Sequence, residues 1–299
     1  MIFSAYKKWT QSSIAGFQDG KRRYKKFINL LGADGARVLH FGCGRDLNET
    51  HKVFSEAEWL MGVDVDQQAL KDYPGLSWWL EGQRLPFSDN TFDYVVSEYV
   101  LEHLDDPTSV FREIFRVLVP GGRFISVAPN KWSYKSLAAM LVPNKLHARF
   151  VSILRPDSGR EDEDVYPTRF RANSAGDLRR LADASGGKLV SIEYCNNGPT
   201  WFRRMPGLFE LGLMFHKLLD WGSLRGLRCN LLVEMVKPGE GARSDAVFAC
   251  PDCGGSMEGE PGKNNLQCNS CSSVFELSSH NVYCRVAVAD SVMADKQGR

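Results

Sequence analysis

No stretch of eighteen apolar residues occurs in this 299-residue sequence, so no membrane-spanning helix is expected. The opening MIFSAYKKWTQSS has no apolar core of the kind a secretory leader needs, which points to a cytoplasmic protein. Internal repeats are absent, and neither sign of charge dominates: 37 Lys and Arg against 36 Asp and Glu leave +1. Histidine is scarce at six, whereas cysteine is plentiful at eight. In a reducing compartment those cysteines are expected as thiols or metal ligands rather than disulfides. With 43% hydrophobic and 24% charged residues the composition is that of an ordinary globular protein, long enough for one large domain or a domain plus a module.

Charge is unevenly spread. Residues 1–36 and 131–236 are basic, residues 37–130 are acidic, and residues 237–299 are slightly acidic. Two readings stand: solvated helix faces, or a basic rim that attracts an anionic acceptor such as a nucleic acid, a phosphosugar or a membrane surface.

Strand-like and helix-like segments alternate through the first third. Val38–Phe41 and Trp59–Val63 read as buried strands, and so does Phe92–Ser97. A helix over Pro107–Val119 carries apolar Val110, Phe111, Ile114, Phe115 and Leu118 and is expected to stop at Pro120-Gly121-Gly122, before a strand over Gly122–Ala128. Further on, a helix is expected over Asn173–Ser185 with a cap at Asn173 or Ser174, then strands over Leu189–Tyr194 and Leu231–Val236. Alternation of this kind predicts an α/β fold, a mostly parallel sheet with helices on both faces.

The first strand runs into Gly42-Cys43-Gly44. Glycines there permit unusual φ values and close approach of a ligand. A following helix start would add main-chain N–H groups at the same spot. The next strand ends at Asp64, placed to accept two hydrogen bonds from a ribose diol. Together these features point to a nucleoside-bearing cofactor.

Leu85-Pro86-Phe87, Phe92-Asp93, Leu101-Glu102-His103-Leu104, Arg116-Val117-Leu118 and Pro120-Gly121-Gly122 follow in fixed order. In that order and spacing the chain resembles the class I S-adenosylmethionine-dependent methyltransferases of type 11, closely over 37–130 and loosely over 165–236. A nicotinamide Rossmann enzyme would show a third glycine and lacks the Leu-Pro-Phe and Pro-Gly-Gly landmarks. The resemblance implies a Rossmann-like sheet of order 3-2-1-4-5-7-6 and S-adenosylmethionine as cofactor, with S-adenosylhomocysteine as product. It also implies cofactor roles for Gly42, Cys43 and Gly44 at the methionine moiety and ribose, and for Asp64 on the ribose. Val65 would lie on the adenine face, Glu81 and Gly82 at the adenine edge, and Ser97 toward the sulfonium.

The chain departs from the family in places. Asp46 stands where the family has a third glycine, so the turn should differ near the methionine carboxylate. Tyr99 stands where some relatives place a metal-binding glutamate, which argues against a catalytic metal. The segment Ser97-Glu98-Tyr99-Val100 replaces the Asn-Pro-Pro-Tyr-type motif of amine and amide methylases. His103 has two readings, general base or helix-capping and packing residue, and Tyr99 is a candidate acceptor-facing side chain.

Acceptor choice in this fold comes from insertions, here 131–170, with its charged loop 155–164, and 198–228. Leu208–Trp221 reads as a lid helix packed on the core, or as an interfacial helix in peripheral membrane contact. Trp132, Tyr134, Trp201 and Phe202 line an acceptor pocket or pack in the core.

Pro238–Asp245 is a linker by composition. Beyond it, Cys250-Pro251-Asp252-Cys253 and Cys268-Asn269-Ser270-Cys271 form two CxxC knuckles with fourteen residues between them, the pattern of a closed structural Zn²⁺ site. Cys284 could sit near that site; Cys43, Cys195 and Cys229 read as buried small residues. The segment resembles the small zinc-binding activator proteins of tRNA, rRNA and translation-factor methyltransferases, which implies a ribbon docked on the catalytic domain.

The expected organisation is a basic helical segment 1–36, a methyltransferase domain 37–237, a linker 238–246 and a zinc ribbon 247–299. The expected reaction is methyl transfer to an oxygen or nitrogen of a small-molecule or glycan/lipid-linked acceptor. The alternatives are an RNA or translation-protein methyltransferase, and a non-catalytic protein that binds S-adenosylmethionine.

Overall fold

The computed structural model describes residues 2–17, 19–46, 49–141, 166–203 and 205–286. The charged loop 155–164, most of the first insertion and the last thirteen residues lie outside the described residues. In chain order the elements are α1 (Ile2–Ala15), α2 (Gly20–Ile28), β1 (Arg37–Phe41), α3 (Thr50–Val53), β2 (Trp59–Asp64), α4 (Gln67–Leu70), β3 (Leu76–Trp79), β4 (Phe92–Glu98), α5 (Pro107–Val117) and β5 (Leu118–Pro129). They continue with α6 (Tyr134–Leu141), α7 (Ala175–Ala184), β6 (Lys188–Cys195), α8 (Leu208–Leu218), β7 (Asn230–Val236), β8 (Met257–Glu258), β9 (Asn265–Cys268), β10 (Val274–Leu277) and β11 (Val282–Arg285). Two compact units divide them. The turn unit comprises Ala33–Val96, Glu113–Gly122 and Gly239–Arg299; the flank unit comprises Met1–Gly32, Ser97–Arg112 and Arg123–Pro238.

In the turn unit β1 pairs in parallel with β2 on one side and β4 on the other, and β3 joins β2. Apolar side chains are buried on successive positions of these strands, including Val38, Leu39, Met61, Val63, Val95 and Val96. Burial on both faces is why their sequences read as continuous rather than alternating apolar runs. The order is the 3-2-1-4 half of the expected sheet. In the flank unit β7 runs antiparallel to both β5 and β6, giving the 5-7-6 half. There α7 starts at Ser174, whose hydroxyl accepts from the Asp177 amide at 3.2 Å.

The family landmarks are bonded to one another. The Leu85 amide donates to Glu113 at 2.8 Å, and the Arg116 guanidinium donates to the carbonyls of Leu85 at 3.0 Å and Phe87 at 2.7 Å. Pro120-Gly121-Gly122 differs from expectation: α5 already ends at Val117, and the triplet lies inside β5. Gly121 sits at φ +83°, and a Cβ on Gly122 would come within 2.8 Å of the Val119 carbonyl. The triplet therefore shapes a strand rather than ending a helix.

The C-terminal module continues the same sheet. β11 lies parallel to β3, with Val282 opposite Ser77 and Tyr283 opposite Trp78, and β10, β9 and β8 follow antiparallel. Trp78 is the anchor: its ring centroid lies 5.0 Å from Phe275, 5.3 Å from Tyr283 and 5.9 Å from Phe248. The segment read as a linker is strapped down from Gly239 onward. Arg243 pairs with Glu58 at 2.7 Å and donates to the Gly35 carbonyl, while the Ser244 amide donates to Asn90 at 2.8 Å. Its polar side chains, not apolar ones, hold it, which is why composition alone suggested a loose tether.

Candidate cofactor site and cysteine cluster

Both turn glycines adopt left-handed backbone, Gly42 at φ +69° and Gly44 at φ +48°, a region that disfavours any side chain. The Gly42 and Cys43 amides donate back to the Val63 carbonyl, at 2.8 and 3.1 Å. The Gly44 amide instead reaches the end of β2 and donates to Asp64 Oδ2 at 2.7 Å. Asp64 Oδ1 accepts from the Asp66 amide at 2.9 Å. Burial raises the Asp64 carboxyl pKa above its ordinary value, and the amides of Asp66 and Gly44 oppose that rise by stabilising the charge. The carboxylate is thus fixed by main chain at the lip of the turn.

Asp46 explains what replaces the third glycine. It adopts φ +52° without being glycine, and its buried carboxylate accepts from the Thr50 amide at 2.7 Å and the His51 amide at 2.9 Å. His51 Nδ1 lies 2.5 Å from the same carboxylate. The α3 amides expected to face a ligand are therefore engaged by Asp46, and α3 itself is only four residues long. This differs from the expectation that a helix start would add its main-chain N–H groups at the turn: those of Thr50 and His51 go to Asp46. His40, buried on β1, has no partner at Nδ1 among the described residues. Burial lowers its pKa to about 4, with the nearby Asp46 charge opposing that fall. Its position on an apolar strand was legible, but its neighbour six residues on was not.

Val65 is exposed after β2, and its carbonyl accepts from Trp79 Nε1 at 3.1 Å. Glu81 and Gly82 are exposed beyond β3, where Arg285 of β11 comes within 3.5 Å of Glu81. Gly42, Cys43, Gly44, Asp64, Val65, Glu81 and Gly82 all belong to the turn unit. Ser97 and His103 belong to the flank unit. Ser97 is buried near the end of β4, its hydroxyl without a partner among the described residues. His103 ends a short 3-10 turn, Leu101–His103; its Nδ1 lies 2.9 Å from the Pro167 carbonyl and its ring meets Tyr166 edge-on. Nδ1 therefore carries the proton it donates to that carbonyl. Tyr99 is held in left-handed backbone at φ +55°, and its hydroxyl accepts from Asn230 Nδ2 at 2.6 Å. The Lys21 ammonium lies 5.4 Å from its ring centroid.

The sulfurs of Cys250, Cys253, Cys268 and Cys271 lie within 4.8 Å of one another. Cys250 and Cys271 are 3.6 Å apart, Cys253 and Cys268 3.5 Å. Tetrahedral zinc with Zn–S near 2.3 Å requires sulfurs about 3.8 Å apart, so the donor set fits the ion. The Gly255 and Ser270 amides each point at a cluster sulfur at 3.4 Å, the kind of support thiolate ligands use. Cys284 is not near this cluster; it packs with Cys43, Leu70, Tyr73 and Val282. Cys43, Cys195 and Cys229 are buried, as expected.

Residues 39–126 match the family model of the methyltransferase domain. The ubiquinone/menaquinone biosynthesis C-methyltransferase UbiE of Desulfotalea psychrophila is 31% identical over 35% of this chain and 46% of its own length. The UbiE of Cronobacter sakazakii is 27% identical over 62% of this chain and 67% of its own. The chain spans about half the length of the curated relatives it matches first. Among solved structures, a chain from the complex of the Haloferax volcanii Trm112 methyltransferase activator with a methyltransferase is 17% identical, covering 78% of this chain and 98% of that one, with a TM-score of 0.48. The strand order and the matched domain together define a Rossmann-like methyltransferase fold.

Proposed function

We propose that this protein transfers a methyl group from S-adenosylmethionine to an oxygen or nitrogen of a small-molecule or glycan/lipid-linked acceptor. The observation that carries the cofactor half of this reading is the Gly44 amide–Asp64 carboxylate contact across the ends of β1 and β2. It presents a charged, pre-oriented acceptor beside two left-handed glycines, which suits a ribose diol. When bound, S-adenosylmethionine supplies a methyl group on a sulfonium that is already a strong donor. The chain then has to hold, orient and exclude water. Gly42–Gly44 and Asp64 would hold the nucleoside, and Val65 and the Glu81-Gly82 pair the base. His103 is the proposed base, through Nε2, since Nδ1 is committed to Pro167.

Support for an apolar acceptor comes from α8. Leu208, Leu211, Met214 and Leu218 leave an exposed apolar stripe at helical spacing, continued by Trp221. No helix among the described residues is long and apolar enough to cross a membrane. A second reading, transfer to carbon, is favoured by the names of the two C-methyltransferase relatives. The four cysteines are proposed to hold a structural Zn²⁺ that stabilises the module on β3.

Labelled-methyl transfer into fractionated cell extract tests the reading. Label in a small-molecule or lipid fraction, with matching release of S-adenosylhomocysteine, is expected, and its attachment atom decides between oxygen or nitrogen and carbon. Label in RNA or protein would move the acceptor to the alternative class. A protein that binds the cofactor yet yields no S-adenosylhomocysteine with any fraction is not a transferase.

A further inference from the structure

The flank unit contains a cleft of about 370 Å³, within the usual range for small ligands. Four cations line it, Lys131, Arg169, Arg171 and Arg180, against one carboxylate, Asp177. Asp177 pairs with Arg180 at 2.7 Å, and Asp105 pairs with Arg169 at 2.8 Å, so these two cations are already matched by a carboxylate. The other two cations keep their charge. Arg171 donates to the main-chain carbonyl of Asp105, a neutral acceptor. Lys131 lies 5.7 Å over the Trp132 ring, with no carboxylate against it among the described residues.

Backbone strain builds this arrangement. Phe170 stands in left-handed conformation at φ +52°, although it is neither glycine nor asparagine. The amides of Arg169 and Phe170 both donate to the Glu102 carbonyl, at 2.6 and 3.2 Å, which pins the turn. The Phe170 ring is buried while the flanking Arg169 and Arg171 are exposed, so one inserted ring presents two guanidinium groups at the cleft. A bulky residue persists in this region only where its surroundings fix it, here through the Glu102 carbonyl and the buried ring. Leu181 and Pro107 add apolar wall, which concentrates the field of the cations.

We propose that this cleft binds a phosphate or diphosphate group, with Lys131 and Arg171 as its principal ligands and Arg169 and Arg180 as support. Forked guanidinium donors and a compact ammonium are the chemistry that recognises phosphoryl oxygens. The site does not depend on the methyl-transfer reading, because it lies wholly within the flank unit and needs no cofactor.

Calorimetric titration of the full chain with inorganic pyrophosphate tests it, at low and at high salt, alongside vesicles of phosphatidate in phosphatidylcholine. Saturable pyrophosphate binding is expected, weakened by salt. In the Lys131→Gln/Arg171→Gln double variant it should fall at least roughly tenfold, since two charge-assisted contacts are lost. S-adenosylhomocysteine titration of the same variant is expected to match the parent, and circular dichroism to show an unchanged fold. Pyrophosphate binding without vesicle binding identifies a soluble phosphorylated ligand; vesicle binding that pyrophosphate displaces identifies a lipid headgroup. Absence of pyrophosphate binding, equal binding by the double variant, or binding of single-stranded RNA alone overturns the proposal.

Discussion

Replacing Asp64 with alanine probes the cofactor reading most sharply. The carboxylate is held by two main-chain amides, at 2.7 and 2.9 Å, so its direction is set before any ligand arrives. Hydrogen bonds to a charged acceptor contribute about 1.5–3 kcal/mol each, and a ribose diol offers two. Taking the lower end, Asp64→Ala should cost about 3 kcal/mol, or roughly a hundredfold in Kd for S-adenosylhomocysteine. Asp64→Asn is not a silent control, because both oxygens accept N–H groups and an amide would turn its NH2 against one of them. Asp66→Ala serves better: it removes the side chain that accepts from the Gln68 and Ala69 amides while leaving the Asp66 amide in place. Its Kd should stay within about threefold of the parent, a difference well below 1 kcal/mol. Calorimetry on folded protein, checked by thermal melting, gives the answer. An Asp64→Ala Kd within about threefold of the parent would refute the ribose assignment.

Three further outcomes follow from the same structure. Trp78→Ala, which empties the aromatic contact with Phe248, Phe275 and Tyr283, should lower stability in urea unfolding by about 3–5 kcal/mol; a loss below about 1 kcal/mol would mean that the module does not rest on β3. Burial holds the His40 pKa at about 4 against an unfolded value of 6.5. Stability should therefore be intact above pH 6.5 and fall by roughly 3 kcal/mol as pH drops toward 4, because only the unfolded chain takes the proton there. Guanidinium unfolding of the parent and of His40→Gln at pH 7.5 and pH 5 tests this, the variant showing the flatter response. Metal analysis should find one zinc per chain, lost in Cys268→Ser together with the ordered module; zinc-free protein with the module intact would contradict the Cys₄ reading.

Much of the sheet was legible because buried parallel strands announce themselves as short apolar runs ending at glycine or aspartate. The strands themselves, the glycine turn at Gly42 and Gly44 and the converging cysteines follow from local pattern or spacing, whereas the strand order, with its 3-2-1-4 and 5-7-6 halves, is what the family resemblance implies. What was hidden is non-local. The parallel pairing of β11 with β3 leaves no trace in either segment, since parallel partners need no turn between them. Cys284 was drawn toward the zinc cluster by residue type alone, whereas its place depends on that pairing. Arg243 sits in a glycine-rich segment that composition reads as loose, and only its Glu58 partner, far away in sequence, fixes it. Asp46 was visible as a departure from the family, but its role as acceptor for the Thr50 and His51 amides required coordinates.

The central claim is that a nucleoside cofactor binds over the turn after β1, against Asp64. A crystal structure of the full chain grown with S-adenosylhomocysteine tests it directly. The account predicts ribose density within hydrogen-bonding distance of the Asp64 carboxylate, beside Gly42–Gly44. Density for the ligand elsewhere, or none at a saturating concentration, would contradict it.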